Sequence, residues 1–457
     1  MRHRKQRLPA GEVTAEIHRL AHDGRGIASV DGKAVFVEGA LPGETASFRY
    51  VFQRKTFDEA VVSRVENPAA DRIEPACRHA AVCGGCSLQH LAPASQLALK
   101  QTVLREQLQH FGSVQPGEWL PPLAGAPLGY RRKARLAVRY VAGKGGVLVG
   151  FREKRNAKVA DIASCAVLLP DIGNRIAELR ALLSSLSPSI QDKLPQVEVA
   201  AGDDRLALVF RHLAPLADAD RQSLVDWCRA RNIDCWLQPG NESTMHRIWP
   251  EQGDALLAYR LDDFGVELLF HPNDFTQVNA GINRQMVRHA VDLLDPQPGD
   301  RVLDLFCGLG NFTLPLATRA AHVTGVEGNA AMVERGNANV AHNRARGVAL
   351  GETRFFAANL DGDFTGAAWA RERYDLILLD PARAGAEAVC RALAGGLSGA
   401  RRIVYVSCNP ATLARDAGLL AEAGYVLEKA GVMDMFPHTT HVESMALFTL
   451  RQTAGRR

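Results

Sequence analysis

Between residues 9 and 67, apolar and polar positions alternate in five short runs, 13–20, 26–30, 33–38, 44–52 and 57–65. The pairs Asp23-Gly24, Asp31-Gly32 and Pro42-Gly43 interrupt them. Alternation of period two broken by turn residues predicts half-buried strands, and five strands in so short a stretch predict a small OB-like barrel. From residue 271 the pattern changes. Apolar runs of strand length now alternate with helix-forming stretches: 301–306, 321–326 ending at Glu327, 353–358 ending at Asn359, 374–379 ending at Asp380, and 402–406 leading into Ser407-Cys408-Asn409-Pro410. This order predicts a doubly wound sheet that binds its ligands at the carboxyl ends of the strands. The runs 425–434 and 444–450 read as a terminal antiparallel pair. Between the two patterned regions lie a cysteine-bearing segment, a helix over 94–111 and mixed α/β sequence. The chain therefore divides into a barrel (1–68), a central α/β domain (69–265) and a Rossmann-like domain (266–457).

At 457 residues, 47% hydrophobic and 23% charged, the composition is that of a globular protein too long for one core. No apolar run approaches the roughly 18 residues of a membrane span. The start, Met1 to Arg7, is basic but no hydrophobic stretch follows, so a secretory signal is not expected and the cytoplasm is the expected location. Nine cysteines, an odd number, argue against a disulfide framework.

A net charge of +4 is too small to imply a polyanionic partner, but its distribution is uneven. Over 130–158 there are ten Lys/Arg and one acid, Glu153. The stretch from Tyr130 to Tyr140 alternates partly like a strand. A strand displaying cations and a tyrosine suits a phosphate backbone and a stackable base, and a merely solvated face fits the residues equally well.

The turn Asp304-Leu305-Phe306-Cys307-Gly308-Leu309-Gly310-Asn311 carries part of a dinucleotide fingerprint. No third glycine follows at dinucleotide spacing, and Glu327 ends the next strand about 20 residues on, where a carboxylate can accept both ribose hydroxyls. With Asn359 and Asp380 on the same edge, the arrangement fits S-adenosylmethionine; NAD is the alternative on pattern alone. Cys408, at a strand-to-helix junction, lies near helix amides that favour a thiolate. A nucleophilic thiol beside an electrophile suggests covalent catalysis, which also needs a general base. Glu443, His438 and His441 are the candidates, and spacing does not choose among them.

Six motifs in order resemble the RumA-type uracil-C5 RNA methyltransferases, in the branch that acts on 23S ribosomal RNA. They are Cys77-x5-Cys83-Gly84-Gly85-Cys86-Ser87-Leu88-Gln89-His90, Asp274 to Asn279, Asp304 to Phe312, Leu379-Asp380-Pro381-Ala382-Arg383, Ser407 to Pro410, and His441-Val442-Glu443. The 21–44 stretch resembles a TRAM domain, an RNA-binding appendage. The resemblance implies a class I methyltransferase fold with Cys408 as nucleophile and Glu443 as base. It also implies that Gln277, Phe306, Asn311, Glu327, Asn359 and Asp380 face S-adenosylmethionine or substrate, with Phe275 a candidate to stack on the uracil.

The resemblance further implies that Cys77, Cys83, Cys86 and Cys165 hold a [4Fe–4S] cluster. Spacing alone fits a four-thiolate zinc site as well. Four protein ligands leave no iron open, so the cluster would be structural. The partner implied is 23S ribosomal RNA, with no membrane and no obligate protein partner. The alternatives are the same chemistry on another 23S uridine or on transfer RNA, and a non-catalytic iron–sulfur RNA-binding factor. A cytosine-C5 enzyme is disfavoured because a Pro-Cys nucleophile motif is absent.

Overall fold

The computed structural model describes residues 11–395 and 399–451; the basic stretch at residues 1–7 lies outside them. Five strands, Val13–Leu20, Gly26–Val30, Lys33–Glu38, Thr45–Gln53 and Phe57–Val65, close into a barrel around Ile17, Val35, Val37 and Phe48. Glu44 is not in a strand. Its buried carboxylate accepts the Leu41 N–H at 2.7 Å and pairs with Arg72 at 2.5 Å, fastening the barrel to the next segment.

The largest sheet among the described residues has eight strands. Glu352–Ala357, His322–Glu327, Arg301–Leu305, Leu376–Leu379 and Arg402–Ser407 run parallel in that spatial order. Glu443–Leu450 then inserts antiparallel beside Arg402–Ser407, and Tyr425–Met433 lies outside it. Spatial order reverses at Arg301–Leu305, the place where open α/β sheets bind ligands. The eighth strand, Glu118–Trp119, ends 182 positions before the first of the other seven begins at Arg301, and it pairs with Lys429 and Ala430.

A six-stranded sheet occupies the middle of the chain, built from Lys133–Val141, Gly146–Gly150, Gln196–Ala201, Leu206–Arg211, Ile233–Gln238 and His246–Trp249. The hairpin Leu257–Leu261/Val266–Phe270 bridges the two sheets, so the 265/266 division falls within its turn. Its apolar residues share a core with Ala207, Val209 and Trp236 on one side and Ile282, Leu309 and Phe312 on the other. Two buried asparagines on the helix Ala330–Ala345 satisfy the hairpin's free edge. Asn339 exchanges hydrogen bonds with the Leu269 backbone N–H and C=O, and Asn343 does the same with Glu267. A buried strand edge without such partners would leave costly unpaired amides.

The helix Pro93–His110 packs on Pro410–Glu422, with Val103, Leu104 and Leu108 against Leu413, Ala414 and Ala417. Among the described residues no helix is long and apolar enough to cross a membrane, and all nine cysteines are free.

Candidate active site

The strand Arg301–Leu305 ends in a tight turn with positive φ at Phe306 (63°), Gly308 (56°) and Gly310 (100°). A non-glycine residue in this region is strained, and such strain persists only where the surroundings fix it. Gly310 has no freedom to change: an added Cβ would lie 2.4 Å from Leu314 Cδ1. The same absence of side chain recurs around Phe355. Its ring lies where a Cβ at Gly310, Gly325 or Gly336 would come within 3.2, 2.9 or 2.6 Å. Turn, strand and helix thus close on one aromatic ring.

Glu327 is tied to this turn. Its carboxylate accepts the Gly308 N–H at 3.1 Å and the Asn329 N–H at 2.9 Å. A carboxylate offers about four acceptor directions, so two stay open for hydroxyls. Asn311 is more fully engaged: its Oδ1 accepts from Tyr259 Oη (2.9 Å) and Asn283 Nδ2 (3.0 Å), and its Nδ2 donates to Asn283 Oδ1. Gln277 lines a small pocket with Arg132, Tyr259, Thr276 and Asn283. Asn359 is exposed at the same edge, and Phe275 is 69% exposed. Asp304, buried behind the turn, accepts from Thr313 Oγ1 at 2.5 Å. Burial pushes its carboxyl up to about 8, so it is held largely protonated.

The second half of the site lies two strands away. Ser407 pairs with Ser444 across the antiparallel ladder, so Cys408, just past its strand, stands opposite Glu443, the first residue of Glu443–Leu450, which is itself paired with Met433. Leu379 is the parallel partner of Tyr405, which brings Asp380 to the same edge. Burial first, then the Glu443 and Asp380 charges, push the Cys408 thiol up to about 11 against the opposing pull of Arg383. Glu443, 7% exposed, is pushed up to about 8 by burial and by Asp380, and Asp380 up to about 7 by burial. The thiol lowered by helix amides that the sequence suggests is therefore not found. Cys408 precedes the cap, and Asn409 itself accepts the Ala411 N–H of the helix Pro410–Glu422.

Asn409 Nδ2 and Thr412 Oγ1 both donate to the Arg383 carbonyl, which fixes Arg383 beside the thiol. The competing histidines are shifted toward the neutral form. Burial lowers both His438 and His441, and Arg383 adds to the effect on His441.

Lys100, Gln96 and Asp434 were not legible as site residues. Lys100 is 1% exposed and donates to Asp434 Oδ1 at 2.7 Å, and its charge is close enough to Glu443 to oppose the upward push on that carboxyl. A lysine in a helical stretch normally signals a solvated face, and only the folded chain shows this one turned inward.

Cys77, Cys83, Cys86 and Cys165 line one pocket together with His79, Gln89, Arg131 and Phe151. Gln89 Oε1 accepts the Cys77 N–H at 2.9 Å, and Gly85 N–H points at Cys83 Sγ at 3.4 Å. Burial pushes the Cys83, Cys86 and Cys165 thiols up, Cys86 to about 11. Among the described residues no three Cys, His, Asp or Glu are grouped tightly enough to hold a single ion.

The basic strand departs from expectation in one respect. Tyr130 is buried, with its hydroxyl on the Pro437 carbonyl at 3.1 Å, so it cannot stack on a base. Arg132 pairs with Asp203 inside the protein, and Lys133 donates to the Asp274 carbonyl. Arg135, Arg139 and Tyr140 remain exposed.

Comparison with known proteins gives concordant results. Residues 259–451 match the tRNA (Uracil-5-)-methyltransferase family and residues 7–48 match the TRAM domain. A protein of Alcanivorax borkumensis named 23S rRNA (uracil(1939)-C(5))-methyltransferase RlmD is 54% identical, over 98% of this chain and 99% of its own length. One of the same name from Hahella chejuensis is 51% identical over 98% of this chain and 99% of its own. In structure, the chain is similar to Pyrococcus abyssi tRNA (uracil-54, C5)-methyltransferase in complex with S-adenosyl-L-homocysteine. The TM-score is 0.71 at 25% identity, covering 96% of this chain and all of that one.

Proposed function

This chain belongs to the 23S rRNA (uracil-C5)-methyltransferase family, and we propose that it methylates uridine 1939 through a covalent bond from Cys408 to C6 of the base. S-adenosylmethionine, when bound, supplies an electrophilic sulfonium methyl. Glu327 would accept the ribose hydroxyls, while Phe306, Asn311, Gln277 and Asn359 shape the rest of its site. The substrate is a feeble nucleophile at C5. Attack of the Cys408 thiolate on C6 moves the C5–C6 π electrons toward C5 and O4, which makes C5 reactive. Once C5 carries both the methyl and its original hydrogen, Glu443 takes that proton. The released electron pair re-forms the C5–C6 double bond and the C6–S bond breaks, returning the thiolate.

One observation carries this reading: the Ser407–Ser444 register sets Cys408, just past its strand, opposite Glu443 at the same sheet edge, with Asp380 close by. Arg383 is the cation that favours the thiolate. A base must be flipped out to reach such a site, and the exposed Phe275 is suited to stack on it.

We assign Cys77, Cys83, Cys86 and Cys165 to a structural [4Fe–4S] cluster. The four thiols line one pocket, and four cysteine ligands suit a cluster whose irons are all held by protein. A ribosomal RNA substrate goes with a cytoplasmic location.

The test uses 5-fluorouracil-substituted 23S rRNA and S-adenosylmethionine. Fluorine at C5 cannot be removed as a proton is, so wild-type protein should form an adduct that survives denaturation. Absence of the adduct, or an undiminished one with Cys408→Ala, refutes the mechanism.

A further inference from the structure

The loop 434–442, which delivers Glu443 to the site, is held almost wholly by groups outside its own sheet. Gln96 Oε1 accepts the His438 N–H at 2.8 Å, and Gln96 Nε2 lies 3.2 Å from His438 Nδ1. Lys100, one helical turn on, donates to Asp434 Oδ1 at 2.7 Å and to the Phe436 carbonyl at 3.0 Å. Ser87 and Leu88 N–H both donate to the His438 carbonyl, at 2.8 and 3.0 Å. Tyr130 holds the Pro437 carbonyl, and the barrel turn at Gly24 leaves only 2.7 Å between a would-be Cβ and Thr440 Cγ2. His438, at φ 65°, is kept in a left-handed conformation that a residue with a Cβ rarely adopts.

Such convergence exceeds what a connection between two antiparallel strands needs. The pair Lys100–Asp434 is buried on both sides, 1% and 6% exposed, and buried ion pairs are seldom the cheapest way to gain stability. They are better at fixing one arrangement. The charged groups around Glu443 are Asp380, Arg383, Lys100 and the Cys408 thiol; those around Lys100 are Asp434 and Glu443, with His438 and His441 nearby.

We propose that Lys100 and Gln96 are positioning residues for the proton-abstraction half of the reaction. They hold the loop so that Glu443 stands opposite Cys408, and the Lys100 ammonium supplies its countercharge. This rests on Glu443 being the base. Neither residue touches the thiol, so the first half, addition and methyl transfer, does not depend on them.

The two halves are separable. On ordinary RNA with methyl-labelled S-adenosylmethionine, a defect confined to the second half leaves the methylated nucleotide bonded to Cys408 through C6, since C5 keeps its proton. Lys100→Met alone leaves Asp434 buried without its cation. The double variant Lys100→Met/Asp434→Leu removes both charges and keeps the volume apolar, and Gln96→Leu gives an independent reading with the ion pair intact. For these two variants we expect turnover to fall about tenfold or more and a denaturation-resistant, methyl-labelled adduct to accumulate. Adduct formation on 5-fluorouracil RNA should stay within about threefold of wild type.

Unchanged turnover overturns the proposal, as does a fall of both rates together without labelled adduct. Glu443→Gln is run in parallel. If it accumulates adduct and the clamp variants do not, the clamp alone is refuted; if it accumulates none, the assignment of the base fails, and the clamp with it.

Discussion

Ser407 and Ser444 are partners across an antiparallel ladder, and Ser444 Oγ donates to the Ser407 carbonyl at 3.4 Å. The pairing sets the distance between a thiol and a carboxylate that lie 35 positions apart in the chain. Because strand side chains alternate faces, a slip of one residue would turn Glu443 away from Cys408.

Glu443 should reveal itself through pH. A carboxyl whose folded value lies above its ordinary 4.5 subtracts stability as pH rises, and the deficit is complete above about 8. Glu443→Gln removes that deficit. At pH 9 the variant should be more stable than wild type, on the order of 5 kcal/mol, and the gain should vanish toward pH 4. Denaturant unfolding at several pH values measures it. For wild type, kcat/KM should rise with pH through about 8 and go on rising toward about 11, since both the base and the Cys408 thiol must be ionised.

Gly310→Ala should cost cofactor affinity more than fold. A Cβ at φ 100° faces Leu314 Cδ1 at 2.4 Å and Phe355 Cζ at 3.2 Å, and relief requires shifting the turn that Glu327 braces. Titration calorimetry with S-adenosylhomocysteine should show Kd weakened by about tenfold or more, with a smaller effect at exposed Gly347.

Anaerobically purified protein should contain iron and acid-labile sulfide in equal amounts and be brown. Cys83→Ser should lose both. Zinc in place of iron, at one per chain, would overturn the cluster assignment. Chelation in the presence of a reductant should loosen the segment that reaches His438, read as faster amide exchange at Ser87 and Leu88.

Arg135→Ala and Arg139→Ala should weaken RNA binding without altering single-turnover chemistry once RNA is saturating. Both side chains are exposed on the strand Lys133–Val141. Each neutralised phosphate contact reduces the slope of log affinity against log salt by roughly one. An unchanged slope would leave these arginines to solubility.

Local pattern carried the barrel and the parallel strands, because alternation and strand–helix order are written in neighbouring residues. The thiol and carboxylate were legible as candidates, but their pairing depends on Glu443–Leu450 inserting between Arg402–Ser407 and Tyr425–Met433, which periodicity does not encode. Glu118–Trp119, two residues long, gives no period to read. Tyr130 misled and Lys100 went unread for the same reason: each is turned inward by a partner on the distant loop 434–442, which no local pattern shows.

Around Phe355, three positions without side chains surround one ring, and this limits how the protein can diverge. A methyl group gained at Gly336 must be matched by carbon lost from the ring, so single changes there are closed and only paired ones are open. Relatives that carry alanine at this helix position should carry a smaller residue than phenylalanine on the strand. Exchanging both at once, Gly336→Ala with Phe355→Leu, is the route by which the nucleotide-holding corner can be rebuilt without being lost.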